Sequence, residues 1–363
     1  MGGVRAYAVT QATVRALISD LLSSTQWATL IGAVDYDAAL SVLARTVYGP
    51  HLQIDRSLLT PRRVTYQIRR HLADVYAKMI RLSPAGARSV LRELWHHYEV
   101  DNIKVALRGV EVSAPWEQVL HLLYPMEQHV DVGVETLERM VRARDVAGAI
   151  EVLRGTRYHP ILQHAMTRYE VERSLFPLEV ALDLGYRRNL WSTLDGLSSH
   201  DREMALKTVG TALDSDNLLW AIRFRVYHRL SEAEIINYTL PTGYEVKDDD
   251  IHDIAHGGDI GQVVFRVYPQ LRERLRGVSF TTGEGLAKLE HELLTLLISR
   301  CRRMFLGSPF HIGLPLALVW LKEHEIRDVT VIVEAKASAT PPEVFRPMLL
   351  LATHQRDAGY GAA

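Results

Sequence analysis

The stretch Asp145–Leu162 reads DVAGAIEVLRGTRYHPIL, and Asp35–Leu52, 110 positions earlier, reads DYDAALSVLARTVYGPHL. Asp35/Asp145, Ala39/Ala149, Leu43/Leu153, Thr46/Thr156, Tyr48/Tyr158, Pro50/Pro160 and Leu52/Leu162 coincide without a gap. A third, more diverged copy starts at Asp259 as DIGQVVFRV. There Val263, Val264 and Val267 fall where the other copies place Ala39/Ala149, Leu40/Ile150 and Leu43/Leu153, while Tyr268-Pro269 comes four residues early. The shared apolar positions lie on one face of a helix. A self-similar helical unit used three times predicts a body built from repeats.

The punctuation around these copies predicts helices throughout. Residues 1–34 read as helix, with Val14, Leu17, Leu21 and Leu22 at helical spacing. Thr60-Pro61 combines an N-cap with a proline at the first helical position. It opens a long helix with the apolar stripe Val64, Ile68, Leu72, Val75, Met79 and Leu82. Ser83-Pro84 repeats that start signal. Residues 163–194 read as a second long helix, kinked or broken at Pro177. Ser231 with Glu234 forms a capping box. The third copy is followed by the stripe Leu286, Leu289, Leu293, Leu297, Cys301 and Met304. Val329–Val333 is the one β-like run. The expectation is an all-α chain of three degenerate helical repeats with pseudo-threefold shape. Their spans are 1–125, 126–241 and 242–356, followed by a disordered tail at 357–363.

A second motif also recurs. YEVDNIKVALRGV (98–110) and LDSDNLLWAIRFRVYHRL (213–230) share Asp101-Asn102 with Arg108, and Asp216-Asn217 with Arg223, at equal internal spacing. Asp101 and Asp216 read as helix N-caps, since Asp and Asn favour that position. The matched Thr46/Thr156, Tyr48/Tyr158 and Pro50/Pro160 pairs read as core packing and helix stops.

Composition excludes several function classes. The 42 basic residues nearly balance the 43 acidic ones, which offers nothing for non-specific nucleic-acid binding. A lone cysteine, Cys301, rules out an internal disulfide framework. The longest apolar run, Ile312–Leu321, is too short to span a bilayer, and the first twenty residues lack a signal-peptide order. A soluble intracellular protein is expected.

Catalytic signatures are missing as well. His291-Glu292-Leu293-Leu294-Thr295 begins like a zinc-protease helix but carries threonine where the second histidine is needed. His96 and His97 are adjacent and point in different directions on a helix. There is no phosphate-binding GxxxxGK[ST] loop, and Gly257–Gly261 follows no predicted strand. Lys247-Asp248-Asp249-Asp250 lacks the alternating oxygen ligands of a calcium loop and reads as a solvated loop or helix start. No enzyme, cofactor or metal site is expected.

The C-terminal segment LPLALVWLKEHEIRDVTVIVEAKASATPPEVFR (314–346) resembles the closing signature of the C subunit of archaeal/vacuolar-type (A/V-type) rotary ATPases, related to the eukaryotic d subunit. Lys322-Glu323, Glu325-Ile326, Arg327 and Pro341-Pro342 follow that order, and YEVDNIKVALR resembles the family's Tyr…Asp…Asn…Arg segment. Arg327-Asp328 departs from the Asn-Leu-Arg-like continuation. The resemblance implies a funnel-shaped, non-catalytic subunit on the cytoplasmic face of a membrane. It would link the central shaft (D/F type) to the proteolipid ring and touch the membrane only through that ring. Arg108 and Arg223, two helical turns beyond Asp101 and Asp216, are the candidate shaft contacts. The competing account pairs each arginine with the aspartate of its own helix. Two other function classes stand beside this one. One is a helical-repeat adaptor that binds peptides. The other is a metallohydrolase built from some of the 16 histidines, which the absent ligand spacing disfavours.

Overall fold

The computed structural model describes residues 2–352, and every regular element among them is helical. The expected tail at 357–363 lies outside the described residues. No described helix is long and apolar enough to cross a membrane. The chain divides into two compact units: one holds Met1–Tyr186 together with Leu318–Ala363, the other Arg187–Ala317.

In the first unit the helices Pro61–Leu82 and Ala85–Glu111 pack on each other, and Val134–Val141 packs on the latter. Val64, Ile68, Leu72, Val75 and Met79 of the stripe are buried, and Leu82 at the helix end is half-buried. Thr60 caps the first of these helices by accepting from the Arg63 N–H. Ser83 makes no such cap, and the second helix begins after Pro84. In the second unit Thr211–Arg223 packs on Gly283–Arg303 and Asp248–Ala255. The stripe Leu286, Leu289, Leu293, Leu297, Cys301 and Met304 is buried.

Four local expectations are corrected. Residues 1–34 are not one helix but two, Gly2–Ile18 and Ser24–Ile31, because Ser23 and Gln26 form a capping box that starts afresh. The break expected at Pro177 lies just before it. Tyr158–Glu172 ends at Arg173 in the left-handed conformation (φ 53°), and Pro177 sits in the first turn of Phe176–Thr193, where its missing N–H is harmless. Val329–Val333 is helical, inside Gly313–Ala337. Val329, Ile332 and Val333 are buried at i, i+3 and i+4, so tertiary packing overrides their β preference. Asp101 and Asp216 are not N-caps, because both lie inside helices, Ala85–Glu111 and Thr211–Arg223.

The aspartates that open the three sequence copies do cap. Asp35, Asp145 and Asp259 accept from the N–H of Ala38, Gly148 and Gln262. In the first two copies the match extends further. Thr46 and Thr156 each donate to the carbonyl three residues back, at 2.7 Å, and each accepts from the N–H of the tyrosine two residues on, at 3.3 Å.

Candidate functional site

Arg108 and Arg223 find partners on other helices, not on their own. Arg108 Nε donates to Glu179 at 2.6 Å, and Arg223 donates to Glu290 at 2.6 Å. Each guanidinium keeps part of its fork in solvent, with side chains 59 % and 38 % exposed. The own-helix pairing is therefore not what forms. Asp101 instead lies between His97 and Lys104. Burial pulls the Asp101 pKa up, but its interactions with His97, Lys104 and Arg69 outweigh it and hold it below the usual aspartate value. Asp216 binds Arg187, whose guanidinium lies 3.5 Å over the Trp220 ring.

Sequence reasoning passed over the residues two positions before these aspartates. Glu99 is fully buried and accepts from the Asp131 N–H at 2.7 Å, the Val132 N–H, and the Tyr158 hydroxyl at 2.6 Å. Its other close neighbour is His96 Nδ1, at 2.6 Å. Asp214 is buried likewise and accepts from the N–H groups of Tyr244, Glu245 and Val246. Gly243 makes that approach possible, since a Cβ there would collide with the Asp214 carboxylate and the Val246 carbonyl. Glu325 accepts from the Leu22 N–H at 2.5 Å, the Tyr48 hydroxyl at 2.7 Å and Lys322 Nζ at 2.7 Å. One arrangement thus occurs three times: a carboxylate on a long helix grips the backbone ahead of a repeat copy.

Three residues further along each helix a second grip recurs. Asn102 donates to the Tyr124 carbonyl and accepts from the Tyr124 N–H. Asn217 does the same with Leu240. Asp328, in the corresponding place, accepts from the N–H groups of Leu350, Leu351 and Ala352. The departure from Asn at Arg327-Asp328 is thereby accounted for. A carboxylate accepts from several N–H groups, whereas an amide also needs a carbonyl to donate to.

Three residues before each carboxylate the counter-group varies. It is Lys322 at Glu325, with both side chains about 1 % exposed or less. It is His96 at Glu99. At Asp214 it is Thr211, whose hydroxyl accepts from Arg300, and Arg300 also binds Glu245 at 2.8 Å. The hydroxyl of Tyr268, which the shifted third copy places in this unit, has Ser215 as its polar neighbour and donates to no carboxylate. Burial, and then the Asp214 charge, raise its pKa well above the usual tyrosine value. The grouping of His96, Glu99 and Asp131 has metal-ligand residue types, but the oxygens of Glu99 are already committed to donors within the protein. These buried carboxylates act as joints between a helix and a distant stretch of backbone.

Residues 10–348 match the sequence model of the ATP synthase (C/AC39) subunit family. The chain belongs to that family. It is similar to the C subunit of the A-type ATP synthase of Methanocaldococcus jannaschii, 26 % identical over 356 residues, which covers 95 % of this chain and 86 % of that protein. It is also similar to the C subunit of the A-type ATP synthase of Methanothermobacter thermautotrophicus, 26 % identical over 278 residues, covering 76 % and 71 % of the two chains. The equivalent C subunit of Methanosarcina mazei is 22 % identical over 351 residues, covering 95 % and 92 %. In this member of the ATP synthase (C/AC39) family, the segments whose sequence resembles the family, 98–108 and 314–346, are the ones that carry Glu99, Asn102, Lys322, Glu325 and Asp328. The signal that would have found the joints is an acidic residue three positions before Asn102, Asn217 and Asp328.

Proposed function

We propose that this chain is the central-stalk socket of an A/V-type rotary ATPase or ATP synthase. It would join the D/F-type shaft to the membrane proteolipid ring for ATP-linked proton or sodium transport. The observation that carries the reading is the threefold recurrence of the buried carboxylate joint, at Glu99, Asp214 and Glu325. A part that transmits torque has to resist shear between its modules. A buried charge held by backbone N–H and side-chain donors resists it well, because slippage would strand that charge away from water. Three such joints support three helical repeats, with limits near 125 and 241, in a pseudo-threefold funnel.

The chain does no chemistry in this reading. It sits on the cytoplasmic face and touches the membrane through the ring alone. Arg108 and Arg223 are the shaft contacts, each using the solvent-facing part of its fork to hold carboxylates or carbonyls on the partner. Reconstitution tests the proposal: the purified chain should bind both a detergent-solubilised proteolipid ring and the isolated shaft. Binding to neither would overturn it.

A further inference from the structure

Glu232, His252 and His256 lie in the second unit, outside every joint described above. His252 and His256 are four residues apart, which puts both on one face of the Asp248–Ala255 helix and its C-cap. Glu232 opens the neighbouring helix, Glu232–Asn237, and packing of these two helices brings it to the histidines. His256 Nδ1 is 3.1 Å from a Glu232 carboxylate oxygen, and one donor atom from each of the three residues lies within 4.8 Å of the other two. Zinc bonds to imidazole nitrogen and carboxylate oxygen are about 2.0–2.2 Å, so tetrahedral donors stand roughly 3.3 Å apart. To reach that spacing the donors close in and His256 Nδ1 gives up its contact with the His252 carbonyl, 3.3 Å away.

We propose that Glu232, His252 and His256 bind one divalent transition-metal ion, Zn2+ above all, stapling the start of one helix to the end of the next. Two imidazoles and one carboxylate suit zinc and its neighbours, whereas magnesium prefers oxygen ligands and water. The site is braced on both sides. Asp248, one helical turn before His252, lies 3.5 Å from His252 Nε2, a carboxylate of the kind that orients a ligating imidazole. Arg225 donates to the carbonyls of Ile254, Gly257 and Gly258, which fixes the helix end that carries His256. The ligands are partly exposed, so solvent can supply the remaining coordination position. The assignment is independent of any role in a rotary complex.

The test uses the full chain, stripped with chelator and titrated calorimetrically with Zn2+ at neutral pH. Co2+ is added in parallel to read a ligand-field spectrum. One equivalent is expected to bind. Affinity should fall at least tenfold in both His252→Ala and His256→Ala, and stay unchanged in His164→Ala, an exposed histidine elsewhere. Binding should weaken as pH falls, because the imidazoles must be deprotonated, and Mg2+ should not compete. Should either alanine variant lose helicity, Glu232→Gln keeps both histidines and is expected to show the same tenfold loss. Absence of stoichiometric zinc binding, or binding that persists in all three variants, overturns the proposal.

Discussion

Tyr48 and Tyr158, at equivalent places in two sequence copies, each donate their hydroxyl to a buried carboxylate: Tyr48 to Glu325 at 2.7 Å and Tyr158 to Glu99 at 2.6 Å. Tyr268 occupies the related place in the second unit, but its hydroxyl has the neutral Ser215 as its polar neighbour and donates to no carboxylate. Hydrogen bonds to charged groups contribute about 1.5–3 kcal/mol each. Tyr48→Phe and Tyr158→Phe should therefore destabilise by that amount, and Tyr268→Phe by about 1 kcal/mol or less, the scale of a bond to a neutral group. Urea unfolding of the three variants checks this; equal losses at all three sites would contradict the joint assignment.

Lys322 and Glu325 form a fully buried ion pair beside Tyr48. Removing one member of such a pair leaves an uncompensated charge and costs about 3–5 kcal/mol. Lys322→Met should lower the unfolding midpoint accordingly, and the double variant Lys322→Met/Glu325→Gln should recover part of the loss. A double variant as unstable as the sum of its singles would show that the two groups act independently.

Burial raises Asp214 from 3.8 to about 6, against the opposing pull of three N–H donors. Such a group binds its proton more tightly folded than unfolded, so its contribution to stability grows as pH falls through 6. Relative to Asp214→Asn, which takes up no proton, the parent chain should gain about 1 kcal/mol between pH 7 and pH 5. Denaturant unfolding of both proteins at the two pH values gives the difference directly. A gap that stays constant, or that moves the other way, would place the Asp214 proton equilibrium elsewhere.

The helices and repeat copies were legible because apolar periodicity and Asp, Thr and Pro punctuation act locally. Thr60, Asp35 and the Ser231–Glu234 box behave as their positions demand. The joints were not legible, since Glu99 and Glu325 find partners 32 or more positions away in the chain. On a helical wheel they resemble solvated acids. Asp101 and Asp216 misled for the opposite reason: an Asp-Asn pair suggests a cap, yet here Asn102 and Asn217 reach from mid-helix to a distant stretch of backbone. Arg108 and Arg223 pair with Glu179 and Glu290, which come from helices whose packing no local pattern encodes.

Arg108→Glu and Arg223→Glu test the proposed shaft contacts. Both arginine side chains are partly solvent-exposed, 59 % and 38 %, so helicity and melting should change little beside the loss of shaft binding. Shaft affinity should fall by roughly 1–3 kcal/mol for each variant, the scale of a lost charge-assisted contact. Variants that melt much earlier while their folded fraction binds the shaft normally would make the arginines structural.

The most direct test of the stalk assignment is made with the proteolipid ring held in a lipid nanodisc on a biosensor surface. The D/F-type shaft is flowed over the ring with and without this chain, and its retention is measured. The account predicts that the shaft is retained only when the chain is present. Equal retention in its absence, or a chain that itself fails to stay on the ring, would contradict it.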